Sequence, residues 1–167
     1  MSNGNPVPFA TTLRVRDTCL CLHLQRAARA VARRFDAALR PLGLTSGQFS
    51  LLMALNRPEP ATIGAVAALL AMDRTTLTAN LKPLLRRGLA VVRTGDADRR
   101  SRRLVLTPAG HALLTAALPL WECTHAQIAA QLPAGAAAEL RQDLAALAAG
   151  DQSSPPSAAM LASVGSR

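Results

Sequence analysis

The hydrophobic pattern of Thr62–Thr107 constrains the fold of this chain more than any other feature. Within it, apolar residues recur at steps of three and four over 62–70 and again over 73–87, which is the spacing of two short amphipathic helices joined by a tight turn. Two segments rich in Val and Leu follow at 89–94 and 103–107, and Gly, Asp and Arg residues fill the loop between them. The stretch therefore predicts a helix-turn-helix followed by a β-hairpin with a basic loop.

Amphipathic patterns on both sides of this stretch predict further helices, over 13–40, 46–56, 109–131 and 136–148. Thr45 and Gln48 have the spacing of a capping box at the start of the second of these. Thr62 and Asp73 are expected to cap the two helices of the helix-turn-helix. Only 2% of the residues are aromatic and Tyr is absent, so the composition also favours a mainly helical fold.

The charge of the chain predicts a polyanionic partner. The formal net charge is +9, and Lys82 is the only lysine, so nearly all the positive charge belongs to arginine. Nucleic acid, an anionic membrane and an acidic protein all satisfy a charge of this sign and size. Arginine makes forked contacts with phosphate and with guanine, which fits nucleic acid.

Several classes of protein are excluded by the sequence. The chain has three cysteines, Cys19, Cys21 and Cys123, and no CxxC motif. Three cysteines are too few for a disulfide framework. No apolar run approaches about 18 residues and the first residues do not read as a secretory signal, so we expect a cytoplasmic protein. Neither a Gly-rich phosphate loop, nor a metal-ligand array, nor a nucleophile beside a base is found. The sequence therefore predicts no enzyme, no cofactor and no metal.

Three segments carry a resemblance to a known family: GLTSGQFSLLMAL at 43–55, MDRTTLTANLKPLLRRGL at 72–89 and DADRRSRRLVLTPAGH at 96–111. In this order and spacing the chain resembles the MarR family of winged helix-turn-helix regulators. The third segment matches the wing pattern of that family, an Asp-x-Arg followed after five residues by Leu-Thr and a Gly. The matching residues are Asp98, Arg100, Leu106, Thr107 and Gly110.

The resemblance implies a mainly α fold with a small β-hairpin wing. A winged helix-turn-helix at about 45–107 and dimerisation helices at 13–40 and 108–148 would together form one domain over 13–148. It also implies a homodimer that binds a pseudo-palindromic operator in double-stranded DNA, usually as a repressor. The flanking segments without periodicity are expected to be a disordered arm and a disordered tail, at 1–12 and 149–167.

We expect the 74–87 helix to enter the major groove, because a helix of about 10–12 Å diameter fits there and reads bases with its N-terminal part. The residues of this helix expected at the DNA are Arg74, Thr75, Thr76, Thr78, Asn80, Lys82 and Arg86. The resemblance implies that Arg100 enters the minor groove and that Asp98 orients it. The hairpin residues expected to contact phosphate are Arg93, Arg99 and Arg102.

The resemblance further implies release from DNA by a small effector, commonly an aromatic or phenolic anion. Its pocket would lie between the dimerisation helices and the winged-helix core, where apolar walls with a few polar groups make a binding site. The candidate lining residues are His23, Gln25, Arg26, Phe35, Trp121 and His125.

A thiol-based oxidant sensor is the alternative. The segment LCLHLQRAAR at 20–29 resembles the surroundings of the peroxide-sensing cysteine in the OhrR branch of the family, which makes Cys21 the candidate and Cys123 its possible partner across a dimer. That branch uses tyrosines near the thiol, whereas this chain has Phe35 at a matching position. Cys21 as a small buried hydrophobe is the competing interpretation. Cys19, two residues away, would point in another direction on a helix.

A DNA-architectural protein without sequence preference is a remoter alternative, because basic composition alone permits it. The threonine-rich face predicted for the 74–87 helix favours the reading of bases instead.

Overall fold

The computed structural model of the chain describes residues 6–94 and 102–149, and it has helices and strands wherever the sequence predicted them, in the same order. The helices are α1 (Phe9–Thr18), α2 (Leu20–Leu39), α3 (Ser46–Leu55), α4 (Ile63–Leu69), α5 (Arg74–Arg86), α6 (Pro108–Ala129) and α7 (Ala136–Ala149). The strands are β1 (Ala61–Thr62), β2 (Ala90–Thr94) and β3 (Arg102–Leu106). The fold is therefore mainly helical with a small sheet, as predicted.

The strands form an antiparallel sheet in the order β1-β3-β2. The predicted hairpin is β2 and β3, in which Ala90 lies opposite Leu106 and Thr94 opposite Arg102. The short strand β1 was not predicted, because a two-residue strand has no periodicity to detect. It joins the far edge of β3 by pairing Ala61 with Leu104, and so fixes the start of α4 against the sheet.

The hydrophobic core joins the helix-turn-helix to the sheet. Its fully buried side chains come from α2, α3, α4, α5 and β3, and they are Leu39, Leu51, Leu52, Val66, Leu77, Leu84 and Leu104. In α5 the buried residues follow the predicted steps of four and seven, so one face of this helix is held by the core and the opposite face is exposed.

The beginning of the chain differs from the prediction of one helix over 13–40. Two helices occupy this segment, because the backbone leaves the helical region at Cys19, with φ −73° and ψ 106°. At this break the His23 ring lies 3.2 Å from the Asp17 carbonyl oxygen, so this side chain of α2 reaches back to the end of α1.

The predicted disordered arm over 1–12 is wrong for its last part, since α1 already begins at Phe9. The extended backbone of Pro8 precedes the helix, and its carbonyl accepts a hydrogen bond from the Thr11 N–H at 2.9 Å. One turn of helix is too short to show periodicity, which is why the pattern missed it. Residues 1–5 and 150–167, which include nearly all of the predicted tail, lie outside the described residues.

The chain divides into two compact units, 1–125 and 126–167. The first contains the core and the sheet. The described part of the second consists of the end of α6, a turn in which Gly135 has a φ of 84°, and α7. Apolar side chains of α7 at steps of four and three are exposed, namely Leu140, Leu144 and Leu147.

Candidate nucleic-acid interface

The turn between α4 and α5 is built by local backbone chemistry. The Thr62 side chain caps α4 by accepting the Ala65 N–H at 3.1 Å, and Asp73 caps α5 by accepting the Thr76 N–H at 2.8 Å. Between the helices Ala71 adopts a left-handed φ of 48°, which lets the chain reverse within a few residues. Both predicted caps are therefore present, one at the start of each helix.

The Asp73 carboxylate is tightly engaged at the start of α5. Hydrogen bonds from the Thr76 hydroxyl, at 2.6 Å, and from the Thr76 N–H lower the pKa of Asp73 below its ordinary value of 3.8. The negative charge also lies at the positive end of the helix dipole. Thr76, predicted to contact DNA, thus uses its hydroxyl in the cap.

One side of α5 is exposed and basic. Arg74, Thr75, Thr78 and Lys82 line a shallow concavity of about 460 Å³ on this side, and Arg86 continues the same face one turn further on. The Thr78 hydroxyl donates to the Arg74 carbonyl at 2.7 Å and keeps its lone pairs as acceptors. This face combines cationic groups with short polar groups over a length of three turns, which suits both phosphates and base edges.

Asn80 belongs to a different side of α5. It is half-buried, its amide donates to the Thr76 carbonyl at 3.1 Å, and its Oδ1 lies 3.5 Å from the position that a Cβ on Gly47 would occupy. Asn80 therefore packs beside α3, away from the exposed face on which it was predicted to act.

The hairpin that follows α5 carries further cationic side chains. Arg93 and Arg103 are paired across β2 and β3, and Arg102 lies next to them; all are exposed. The Arg103 guanidinium donates to the Pro60 carbonyl at 3.0 Å, which turns it toward the loop before β1 and away from Arg93. The predicted wing-tip residues Asp98, Arg99 and Arg100 lie outside the described residues.

The base of the hairpin is locked to α6 by Thr107 and Gly110. The Thr107 hydroxyl donates to the Gly88 carbonyl at 2.6 Å and accepts the Gly110 N–H at 3.1 Å, so it caps α6 while holding the end of α5. Gly110 is buried where α6 crosses the start of β2, and a Cβ there would overlap the Leu89 carbonyl oxygen. These contacts give a structural reason for two residues of the wing pattern.

Sequence reasoning missed two polar residues that hold the interface in place. Asp36 of α2 accepts the Ser46 N–H at 2.6 Å, at the first turn of α3. Arg87 donates to the carbonyls of Gly43 and Leu42 at 2.6 and 3.0 Å. Each acts across 10 or more residues of sequence, and neither belongs to a local motif.

An apolar cleft of about 450 Å³ lies between α3, α4 and α6. It is lined by Phe49, Ser50, Met53, Ala54, Leu69, Leu70, Leu118 and Trp121. The Trp121 ring is stacked between Phe49, at 6.3 Å between centroids, and His125, at 5.0 Å. Of the predicted effector residues, Trp121 lines this cleft, and His125 stacks on Trp121 without lining the cleft. Phe35 packs against the core, while His23, Gln25 and Arg26 are exposed on α2.

The redox candidates are accessible. Cys21 and Cys123 are exposed, and the Gln25 amide lies 3.3 Å from the Cys21 sulfur. Cys19, which is half-buried, sits at the break between α1 and α2, so the helical geometry assumed for Cys19 and Cys21 does not hold.

Residues 6–94 and 102–149 contain neither a metal-binding cluster nor a membrane-spanning helix. No cluster of three or more His, Cys, Asp or Glu side chains in this part could hold a metal ion. No helix in it combines the length and the apolar character needed to cross a membrane.

Comparison with known proteins shows which family the chain resembles. The model of the MarR family matches residues 42–101, which contain α3, the helix-turn-helix and β2, the first strand of the hairpin. The uncharacterized HTH-type transcriptional regulator YwoH of Bacillus subtilis is 32% identical over 84 residues. That alignment covers 50% of this chain and 61% of YwoH, so the chain spans about three fifths of this curated relative.

Solved structures extend the likeness to most of the chain. The transcriptional regulator MosR of M. tuberculosis, solved in complex with DNA, is 39% identical with a TM-score of 0.72, over 80% of this chain and 96% of MosR. The transcriptional repressor CouR of Rhodococcus jostii, solved on a 23-mer DNA duplex, is 31% identical with a TM-score of 0.73, over 80% and 95%. These relatives are named as regulators, in agreement with the exclusion of an enzyme. The chain belongs to the MarR family of winged helix-turn-helix transcriptional regulators.

Proposed function

We propose that this chain is a sequence-specific DNA-binding regulator that acts as a homodimer, in the simplest case as a repressor. The observation that carries the proposal is the exposed face of α5, where Arg74, Thr75, Thr78 and Lys82 form one polar, cationic surface beside a basic hairpin. Binding to chromosomal DNA would place the protein in the cytoplasm, at the nucleoid.

In this proposal α5 lies in the major groove. Arg74, Thr75 and Thr78, in its first turns, meet base edges, because a recognition helix reads bases with its N-terminal part. Lys82 and Arg86 lie further along and contact phosphate, which supplies affinity without sequence information. Thr76 and Asn80 contribute by holding the helix in shape and place.

The hairpin contributes a second contact. Arg93 and Arg102 are exposed on its strands and are suited to phosphate. Arg100, with Asp98 and Arg99 beside it, is proposed to enter the adjacent minor groove, where a narrow A·T-rich groove concentrates negative potential.

The dimer is proposed from exposed apolar surface. Leu20, Leu24 and Val31 of α2 form a stripe at helical spacing with 69%, 37% and 36% of their surfaces exposed. A partner chain that covers this stripe would present two recognition helices. The operator would then be a pseudo-palindrome with half-sites about one helical turn apart.

The cleft beside Trp121 is the proposed effector site. Its walls are aromatic and aliphatic, and Ser50 adds a hydroxyl, so they suit the ring of an aromatic or phenolic effector. The cleft borders α4, and an occupant that shifts α4 would move the turn that aims α5.

The experiment is footprinting on the DNA flanking the gene of this protein, with and without a panel of aromatic acids. Protection of a palindrome that an aromatic acid abolishes is the expected result. Equal binding to random DNA would instead indicate an architectural protein. For the wing, Arg100→Ala is expected to weaken operator binding by about 1–3 kcal/mol, and an unchanged gel-shift affinity would remove Arg100 from the interface.

Oxidant sensing is the second candidate, and the accessibility of Cys21 favours it. An exposed sulfur with an amide donor 3.3 Å away can be reached by peroxide. The same footprint repeated with peroxide and then reductant tests it. Loss of protection with peroxide that Cys21→Ser prevents would replace the aromatic effector; a footprint insensitive to peroxide would exclude the thiol model.

A further inference from the structure

Arg87 lies at the end of the recognition helix, next to Arg86, which the sequence predicted to contact DNA. Although Arg87 is exposed, its guanidinium is bound to a neighbouring turn of the chain. Nη1 donates to the Gly43 carbonyl at 2.6 Å and Nη2 donates to the Leu42 carbonyl at 3.0 Å. Both terminal nitrogens thus bind backbone oxygens of the turn between α2 and α3.

Those two carbonyls are groups that need a partner. The turn of Arg40–Leu42 continues α2 as a 3-10 helix, and Gly43 ends it with a left-handed φ of 64°. The last carbonyls of a helix have no N–H donor from within it and carry the negative end of the helix dipole. A guanidinium that donates to two of them makes charge-assisted hydrogen bonds in a forked geometry.

The helical positions separate Arg87 from its neighbour. Adjacent residues point about 100° apart on a helix of 3.6 residues per turn. Arg86 is four residues after Lys82, on the exposed face. Arg87 is seven residues after Asn80, so these two share a flank, and Asn80 lies against Gly47 of α3.

This flank is anchored to a fixed part of the fold. Leu39 and Leu44, on both sides of the turn, are buried in the core. Asp36 of α2 also binds the Ser46 N–H at the first turn of α3, at 2.6 Å. Arg87 therefore connects the C-terminal end of α5 to the junction of α2 and α3, 44 residues earlier in the chain.

We propose that Arg87 is a positioning residue for DNA recognition, which sets the angle of α5 by binding the Leu42 and Gly43 carbonyls and does not contact phosphate. The inference rests on the proposed DNA-binding function. Specific contacts require a geometry held within about 0.5 Å and 10–20°. Loss of this connection lets α5 tilt slightly on the core, so the base contacts proposed for its first turns are misaligned while the charge that attracts any DNA is kept.

The test compares Arg87→Lys and Arg87→Ala with Arg86→Lys and Arg86→Ala. The probes are the fragment that the wild-type protein protects and a scrambled fragment of equal length, each titrated over a range of salt. Arg87→Lys keeps the charge but cannot form the two-pronged contact. It is expected to lose about three- to thirtyfold in specific affinity, with unchanged binding to scrambled DNA and an unchanged salt slope.

The Arg86 variants should respond differently if Arg86 contacts phosphate and Arg87 does not. Arg86→Ala is expected to reduce the salt slope by about 1 on both probes, and Arg86→Lys to restore it. Measurements are made well below the melting temperature of each variant, so that instability is not read as weak binding. If Arg87→Ala does not fold, Arg87→Lys still distinguishes a positioning residue from a phosphate contact.

Three outcomes would overturn the inference. One is Arg87→Lys binding like wild type while Arg87→Ala lowers the salt slope, as a phosphate contact would. Another is a lower melting temperature with an unchanged ratio of specific to non-specific affinity, as a merely structural residue would give. The third is wild-type protein that protects no fragment, which overturns the proposed function and removes the basis of this inference.

Discussion

At the scale of single residues, the interface depends on small groups placed where larger ones do not fit. Gly110 lies where α6 crosses the strand that begins the hairpin, and Thr107 joins α5 to α6 with one hydroxyl. These residues carry no charge and contact no DNA in the proposal. They set the distance between the hairpin and the recognition helix.

Gly110→Ala is expected to destabilise the fold by about 1–3 kcal/mol, the range for overpacking a tight site. The added Cβ would overlap the Leu89 carbonyl oxygen and lie 3.1 Å from Leu106 Cδ2. Chemical denaturation measures the free energy of unfolding. Gly64→Ala is the matched control, because its Cβ would meet only the end of Arg74 at 3.6 Å in another first helical turn. Equal effects of the two substitutions would contradict the packing argument.

At the scale of elements, α3, α4 and α5 each begin at a side-chain cap that the sequence predicts. The capping box of Thr45 and Gln48 is complete in α3, and single caps start α4 and α5. Caps are local, so their spacing is readable in the sequence. The break at Cys19 is local too, but no common sequence pattern predicts it.

The Asp73 cap predicts an acid dependence. Because hydrogen bonds from Thr76 lower its pKa in the folded state, the charged cap stabilises the protein above the ordinary value of 3.8, and this contribution is lost as pH falls through the lowered pKa. Asp73→Asn keeps an amide cap without the charge.

Thermal unfolding followed by circular dichroism from about pH 6 to about pH 2.5 measures the effect. The wild type is expected to be the more stable protein at the upper end, and the difference in melting temperature is expected to shrink toward the lower end. A difference that stays constant with pH would show that the charge of Asp73 does not contribute.

At the scale of the whole molecule, exposed apolar surface is the feature that the single chain leaves unexplained. The stripe on α2, with Leu20, Leu24 and Val31, lies on the outside of its unit. Leucines of α7 are exposed in the second unit as well. Each of these helices exposes apolar side chains at helical spacing, which the proposed homodimer would cover with a partner chain.

Leu24→Asp is expected to weaken self-association by roughly tenfold or more, because it places a charge in the middle of the stripe. Sedimentation equilibrium measures the dissociation constant, and circular dichroism verifies that the monomer fraction stays folded. Arg29→Ala, off the stripe on the same helix, is the control and should associate like wild type. Undiminished association of Leu24→Asp would place the dimer contact elsewhere.

The sequence by itself determined the fold class, the family, the caps, and the division of α5 into a buried and an exposed face. All of these features depend on spacings of a few residues, because local backbone geometry links residues so close together directly. It also grouped Thr76, Asn80 and Arg86 together as DNA contacts, since all three are polar residues outside the buried positions of this helix.

Only the tertiary structure decided what neighbouring polar side chains do. It assigned Thr76 to a cap, Asn80 to the contact with α3 and Arg87 to the carbonyls of Leu42 and Gly43, and it placed Trp121 in the cleft. The physical reason is range: Arg87 and its acceptors lie 44 residues apart in the chain, and only the packed core brings them within hydrogen-bonding distance.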